Sequence, residues 1–489
     1  MSDSSLSVGS REDLDLDPAQ VFAILLHYYR SNYDDMCRVD ISEWRGSEEV
    51  TAATQRLAQQ IRRSGVVTRR QFIDAMSRPV QAFTLLRAVD LALRSVDPHN
   101  GTHDRGRLGG YRQKFRKSKC YYGDEKVGYV LPRRCFPTRP QPVPDNLSEH
   151  LESLMLVPKI PDHLHFDLLT SRPELDFEEA VRKETIKSKK IKVGCVPFID
   201  NLGELDITPI DRKDAWYSIR LKRGDNAAAR RDWTRHWRER SEHALANLDQ
   251  SGAHIGILPE LSLTDDLLAW WKDMLQRTPR PRVSRLQWIL VGTGSLTARP
   301  GAGPQPNRAT LLHRRTGELI FQQDKCEPFT LSADQIESWQ LSALKPGPRA
   351  EWMRDGRDRY VLDAWAGRFA VLVCEDLSRV MEVGTDLSKL GPTHLFIPIF
   401  APPIIRHRWQ QQSAVQFANT VGSVSVVANS QAVRLLANGD GPPRRGDVGT
   451  ALAILPTGRG PSHTWAVRTH IRHTAGEAVG VAKFILPRS

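Results

Sequence analysis

Three residues of types that act together in acyl chemistry stand at the ends of apolar runs. Glu260 closes AHIGILPE, Lys325 follows ELIFQQD, and Cys374 closes RFAVLVC. A thiol attacks only after losing its proton, so it needs a base or a positive charge close by. Glu260 is of the type to serve as that base. The tetrahedral intermediate that follows carries an oxyanion, which an ammonium and a backbone N–H beyond the nucleophile stabilise in a site shielded from water. Lys325 and the amide of Glu375 fit those two roles, and the set suits acyl transfer from an amide or nitrile through a thioester. Singly, each residue has a plainer explanation: a small buried cysteine, a surface lysine, an acid ahead of a helix start in LSLTDD. Only the three together point to this chemistry.

The elements that must carry them read as an α/β domain. IKVGCVPF, AHIGILPE, LQWILVGTGSL, RFAVLVC, THLFIPIF, SVSVVANS and GTALAILP are short apolar, β-rich runs, and ATLLHRRTGELIFQQ reads as a hairpin turning at Thr316 and Gly317. Helical stretches alternate with them, one placing Trp233, Trp237, Ala244, Leu245 and Leu248 on a single face. Active groups in such sheets gather where strands end and loops emerge. Before this domain, residues 17 to 95 space apolar residues by three and four, with Asp17 and Pro18 suited to a helix start. Residues 96 to 150 turn Gly-, Pro- and base-rich. The division expected is a helical domain over 1–100, a basic, Pro-rich connecting region over 101–187, and an α/β catalytic domain over 188–489.

The ordered motifs resemble the nitrilase, or carbon-nitrogen hydrolase, superfamily over about residues 190 to 460. GILPELSLT is similar to the segment carrying that family's glutamate, NRATLLHRRTGELIFQQDK to the hairpin leading to its lysine, and FAVLVCEDL to its cysteine segment. The resemblance implies a four-layer α-β-β-α sandwich, pairing into a homodimer or larger homo-oligomer, and the roles of base for Glu260, oxyanion stabiliser for Lys325 and nucleophile for Cys374. Asp376 and Asn429 match family positions and are expected at the substrate. Many members add a second glutamate beyond the lysine; Asp334 and Glu337 compete for it, and Glu337 is the candidate named. Glu375 stands where many members carry an aromatic, and the CED form is similar to glutaminase-type branches. LSRVMEV, after the cysteine, departs from the family's usual arginine and proline pattern.

Composition sets the outer bounds. At 489 residues the chain is long enough for two or three domains, and 40% hydrophobic with 26% charged residues is ordinary for globular proteins. The formal charge of +12 is concentrated in 111–137 and 182–192, where bases mix with aromatics or run together. Those stretches offer a surface to a protein or nucleic-acid partner, against the plainer reading of a solvated basic face. Six cysteines without CxxC spacing suit free thiols in a reducing, cytoplasmic setting. MSDSSLSVGSREDLDLD lacks the character of a secretory signal, and THLFIPIFAPPII is too short and proline-broken to span a bilayer. No metal or organic cofactor is expected: His163 and His165 in DHLHFD lack a third ligand nearby. Two Gly/Pro-rich loops, 297–307 and 437–447, read as surface excursions, lids or subunit contacts.

The reading is hydrolysis of a small-molecule amide or nitrile through an acyl-enzyme. Two alternatives use the same residues: transfer of the acyl group or ammonia to an acceptor, and a non-catalytic assembly or sensing module, of the kind found beside bacterial antiviral proteins, that acts through a partner of residues 1 to 185.

Overall fold

The computed structural model of the protein describes residues 15–32, 40–96, 99, 107–134, 151–210, 215–224, 226–294, 303–405, 407–433, 448–459, 465–472 and 478–488. The loop 437–447, most of the loop 297–307 and residues 135–137 of the first basic stretch lie outside them.

The chain divides into two compact units, one of Met1–Cys135 with Pro140–Pro161 and one of Phe136–Arg139 with Asp162–Ser489. The first is helical, as its periodicity predicts. Its longest-buried helix, Pro79–Leu93, is apolar nearly all round, with Phe83, Leu85, Leu86, Val89 and Leu93 all buried, so it forms the centre against which Pro18–Asn32 and Glu48–Ser64 pack. Thr68 and Gln71 close a capping box at the start of Arg69–Ser77. The unit also holds a three-stranded antiparallel sheet, Tyr122–Asp124, Gly128–Pro132 and Leu154–Val157. Buried Asp90 ties that sheet to the central helix by accepting from the backbone N–H groups of Glu152, Ser153 and Leu154 at 2.7–2.9 Å.

The structure thus corrects the expected division. Most of the region read as a connector is folded: 107–134 and 151–161 belong to the helical unit, and 162–187 to the second. Its strand Leu164–Leu168 pairs in parallel with Arg359–Ala364 at the edge of a large sheet. The reason is that a five-residue edge strand, LHFDL, gives too brief an alternation to stand out from basic, Pro-rich flanks.

The second unit is a four-layer α-β-β-α sandwich. One inner layer is a six-stranded sheet in the order Leu319–Asp324, Arg308–His313, Trp288–Thr293, Ile255–Ile257, Lys190–Cys195, Ala482–Pro487. The other is seven-stranded, with His394–Ile399 between Gly367–Val371 and Val424–Asn429 at its middle. Strand alternation decides which side chain meets which layer. Ile289 and Val291 pack with Trp237, Leu245, Leu248, Trp271 and Leu275 of the outer helices Ala227–Ser251 and Asp265–Arg277. Trp288, one residue out of phase, faces the opposite sheet and meets Phe369 edge-on at 5.4 Å. Helices Val380–Leu390 and Trp409–Val421 cover the far side of the seven-stranded sheet.

A smaller sheet was not foreseen. Its strands, in order, are Thr330–Leu331, Arg349–Glu351, Trp216–Leu221 and Leu205–Pro209. They come from three separate parts of the chain, which is why local pattern alone does not reveal them.

Among the described residues, no helix is long and apolar enough to cross a membrane, and no group of three or more His, Cys, Asp or Glu is arranged to hold a metal ion. His163 bonds Asp386 at 2.7 Å and His165 bonds Asp358 at 2.8 Å. In the second basic stretch, Lys192 pairs with Glu184 and Lys183 with Glu179, as in a solvated ion-paired face.

Candidate active site

Glu260 follows the strand Ile255–Ile257, held by a tight turn in which Ser262 Oγ donates to the Pro259 carbonyl at 2.8 Å. The neighbouring strand must come very close here: a Cβ on Gly292 would lie 2.2 Å from the Pro259 oxygen and 2.5 Å from the Glu260 Cα. Glycine at 292 is therefore what lets the glutamate loop close over the sheet. Lys325 lies one residue past the hairpin strand Leu319–Asp324, and its backbone N–H donates to Asn307 O at 2.7 Å. Cys374 opens the turn Cys374–Ser378, three residues past the end of the strand Gly367–Val371, with φ at +48°. A left-handed backbone at a non-glycine residue is costly and is kept where surrounding structure enforces it. It lifts the cysteine out of the strand direction, towards the glutamate and lysine.

The three side chains converge, each at most 4% exposed. Lys325 Nζ donates to Glu260 Oε1 at 2.9 Å and to Glu351 Oε2 at 2.5 Å. Asn307 Nδ2 reinforces both carboxylates, at 2.7 Å to Glu260 and 2.9 Å to Glu351. The backbone of Phe400 joins the cluster from the other sheet: its N–H donates to Glu260 Oε2 at 3.0 Å, while its carbonyl lies 3.8 Å from Cys374 Sγ. The thiol is also within hydrogen-bonding reach of Glu260.

Burial sets the electrostatics. It raises the Glu260 carboxyl above its ordinary range; Glu351 pushes the same way, and Lys325 opposes both. Burial pulls Lys325 down, but Glu260 and Glu351 outweigh it and hold the ammonium well above its usual value. The Cys374 thiol is pushed well up, first by burial and then by Glu260, so the resting sulfur is protonated. Two carboxylates thus share one ammonium.

These groups line a cavity of about 20 Å³, whose remaining walls include Ile207, Tyr217, Ile219, Leu261, Phe329, Leu331, Trp339 and Phe400.

Comparison with known proteins adds the following. No family model matches the sequence, and no curated protein matches it. Among solved structures, the chain is similar to a glutamine-dependent NAD+ synthetase from Acinetobacter baumannii, at 13% identity and a TM-score of 0.35 over 60% of this chain. It spans less than half of that chain, 45%. It is similar to an amidase from Nesterenkonia sp. AN1 whose active-site cysteine carries acrylamide, at 12% identity and a TM-score of 0.33, over 60% of this chain and 92% of that one. A member of branch 10 of the nitrilase superfamily from Saccharomyces cerevisiae aligns over 61% of this chain and 90% of its own, at 14% identity and a TM-score of 0.29.

Other expected residues fall elsewhere. Glu337 is exposed on the short helix Ala333–Ser338, as is Asp334, and the second glutamate beside the lysine is Glu351. Asp376 and Asn429, expected at the substrate, are spent on backbone. Asp376 accepts from Cys326, Glu327 and Val373 N–H groups at 3.0–3.2 Å, binding the lysine loop to the cysteine turn. Burial raises its carboxyl to about 7. Asn429 makes two bonds to Ala401 and one to the Pro402 carbonyl, fixing the Phe400 loop. The Glu375 side chain bonds Ser378 Oγ at 2.6 Å, half-buried and outside the cavity wall, so its charge is not delivered to the site.

Asn307 and Glu351 are the functional candidates that sequence reading missed. Asn307 was not legible by counting from the hairpin turn, which sets it opposite Asp324; a register shift between Leu311 and Leu312 brings it opposite Lys325. Nor was Glu351, because 26 residues and a helix separate it from the lysine.

Proposed function

We propose that the chain is a carbon-nitrogen hydrolase of the nitrilase superfamily, acting on an amide or nitrile through a Cys374 thioester. What supports the reading most is a lysine buried between two carboxylates and facing, in one cavity, a cysteine held in left-handed backbone. Glu260 takes the thiol proton as sulfur attacks the carbonyl carbon, and the C=O electron pair moves to oxygen. Lys325 and the Glu375 N–H stabilise that oxyanion. Collapse expels ammonia or an amine, which takes the proton from Glu260. A water that Glu260 then deprotonates cleaves the thioester and frees the thiol. Glu351 and Asn307 act as positioning residues that keep Lys325 charged and Glu260 oriented.

The test is turnover of simple amides by Glu260→Gln, Lys325→Ala and Cys374→Ala, with intact-mass detection of an acyl adduct in the wild type. Full activity in any one variant removes that residue's role, and an adduct that persists in Cys374→Ala sinks the assignment.

A further inference from the structure

The small four-stranded sheet has two unlike faces. The strand pairs Ile207 with Ile219 and Leu205 with Leu221 are buried, while the intervening residues carry an Arg220–Asp206 ion pair and a Thr208–Ser218 hydrogen bond. LDITP and WYSIRL alternate as an amphipathic hairpin should. On the buried face, one hairpin residue breaks the apolar pattern. Tyr217 stands in register with Glu351 on the parallel neighbour, so its side chain leaves the sheet on the same side as the glutamate that holds Lys325. It is 3% exposed and lines the cavity beside Cys374. Burial and the nearby Glu351 hold its phenol well above the ordinary range, so it stays a neutral hydroxyl. That hydroxyl bonds to none of the described residues, although a buried tyrosine usually finds a partner.

The sheet therefore supplies most of one wall: Ile207, Tyr217, Ile219, Leu331 and Glu351. The space it leaves beside Cys374 is small, about 20 Å³, which favours a short group over a long one. Lys325 is the single cation among the lining residues, already shared by two carboxylates, so a carboxylate on the acyl chain would meet excess negative charge and apolar walls without a counterion.

We propose that this sheet is the substrate selector: it admits short, uncharged acyl groups, and the Tyr217 hydroxyl hydrogen-bonds the amide that enters. The proposal rests on Cys374 being the nucleophile of this cavity, and its test keeps the two apart. Full-length protein is alkylated with iodoacetamide, iodoacetate or 2-iodohexanamide, each rate at Cys374 is read by peptide mass spectrometry, and each is divided by the rate with glutathione. Buried Cys120, Cys195 and Cys326 serve as internal references.

The expected result is Cys374 labelling by iodoacetamide faster than the reference cysteines. After normalisation, iodoacetate is slower than iodoacetamide by about 100-fold, because an unpaired charge must leave water, and 2-iodohexanamide by about 10-fold, in the range that methylenes command in closed pockets. Ile219→Ala recovers most of the 2-iodohexanamide rate, and Tyr217→Phe slows iodoacetamide by about 10-fold while leaving iodoacetate unchanged. Reactive Cys374 with equal normalised rates for all three reagents overturns the selector and leaves the nucleophile standing. Cys374 no faster than the reference cysteines with any reagent overturns the nucleophile, and the selector with it.

Discussion

The second unit buries two kinds of charge. Near the outer helices, Arg314 is fully buried and grips Asp249 with two nitrogens, at 2.8 and 3.2 Å, while its third donates to the Thr278 carbonyl. Ser284 Oγ takes up the remaining capacity of Asp249 at 2.6 Å. That pair is one cation to one anion, with donors and acceptors matched, and neither residue lines a cavity wall described above. The Lys325 cluster has two carboxylates to one cation, a thiol beside it and open space in front. The difference teaches how to separate charge buried for the fold from charge held for chemistry. The first is balanced and closed; the second is unbalanced, strained at Cys374, and faces a gap.

Four measurements break or sharpen that contrast. Cys374→Ala is expected to lower amide turnover by on the order of 10⁴-fold, while exchanging a buried thiol for a methyl moves stability by about 1 kcal/mol. Steady-state kinetics with a denaturant melt checks both; a large stability loss with modest kinetic loss would put the cysteine in the structural class. Arg314→Ala should do the reverse, costing about 3–5 kcal/mol because Asp249 is left charged and buried. Its kcat per folded molecule should stay within about threefold of the wild type.

Asp376 is the intermediate case, a carboxyl committed to backbone yet next to the site. Its folded pKa, raised to about 7, lies above the unfolded value of 3.8, so its contribution to stability is full below pH 3.8 and fades as pH rises through 7. Stability of the wild type minus that of Asp376→Asn should accordingly fall by about 3–4 kcal/mol between pH 4 and 7.5. A constant difference across that range means Asp376 does not titrate there. The smallest effect is on the pH profile. Burial and Glu351 both raise Glu260, so Glu351→Gln should move the acid limb of kcat/KM to lower pH. An upward shift would contradict the proposed base.

Much of this was legible in the chain. The strands carrying Glu260, Lys325 and Cys374 announce themselves as short apolar runs that stop at a polar residue, and the hairpin around Gly317 fixes its own register. Asn307 does not follow from that register by counting, because the pairing shifts by one residue between Leu311 and Leu312. Glu351 and Tyr217 do not follow from any local pattern. They meet only because a strand after Lys325 and a hairpin before Glu260 pair across a long stretch of sequence, and the two-residue and three-residue strands involved are too short for periodicity to register. The edge strand Leu164–Leu168 escaped for the same reason. Asp376 and Asn429, expected at the substrate, bond to backbone in the structure, and the sequence does not reveal those partners because they depend on which loops come within reach of the side chain.

The order of the elements, the residue types available for chemistry and their placement at strand ends are written into the chain locally, because alternation and turn residues act over a few positions along it. Only the tertiary structure decided which carboxylate holds the lysine, how small the cavity is and what lines it. Those are properties of segments distant in sequence, brought together by burying the inner face of a sheet that no one segment encodes.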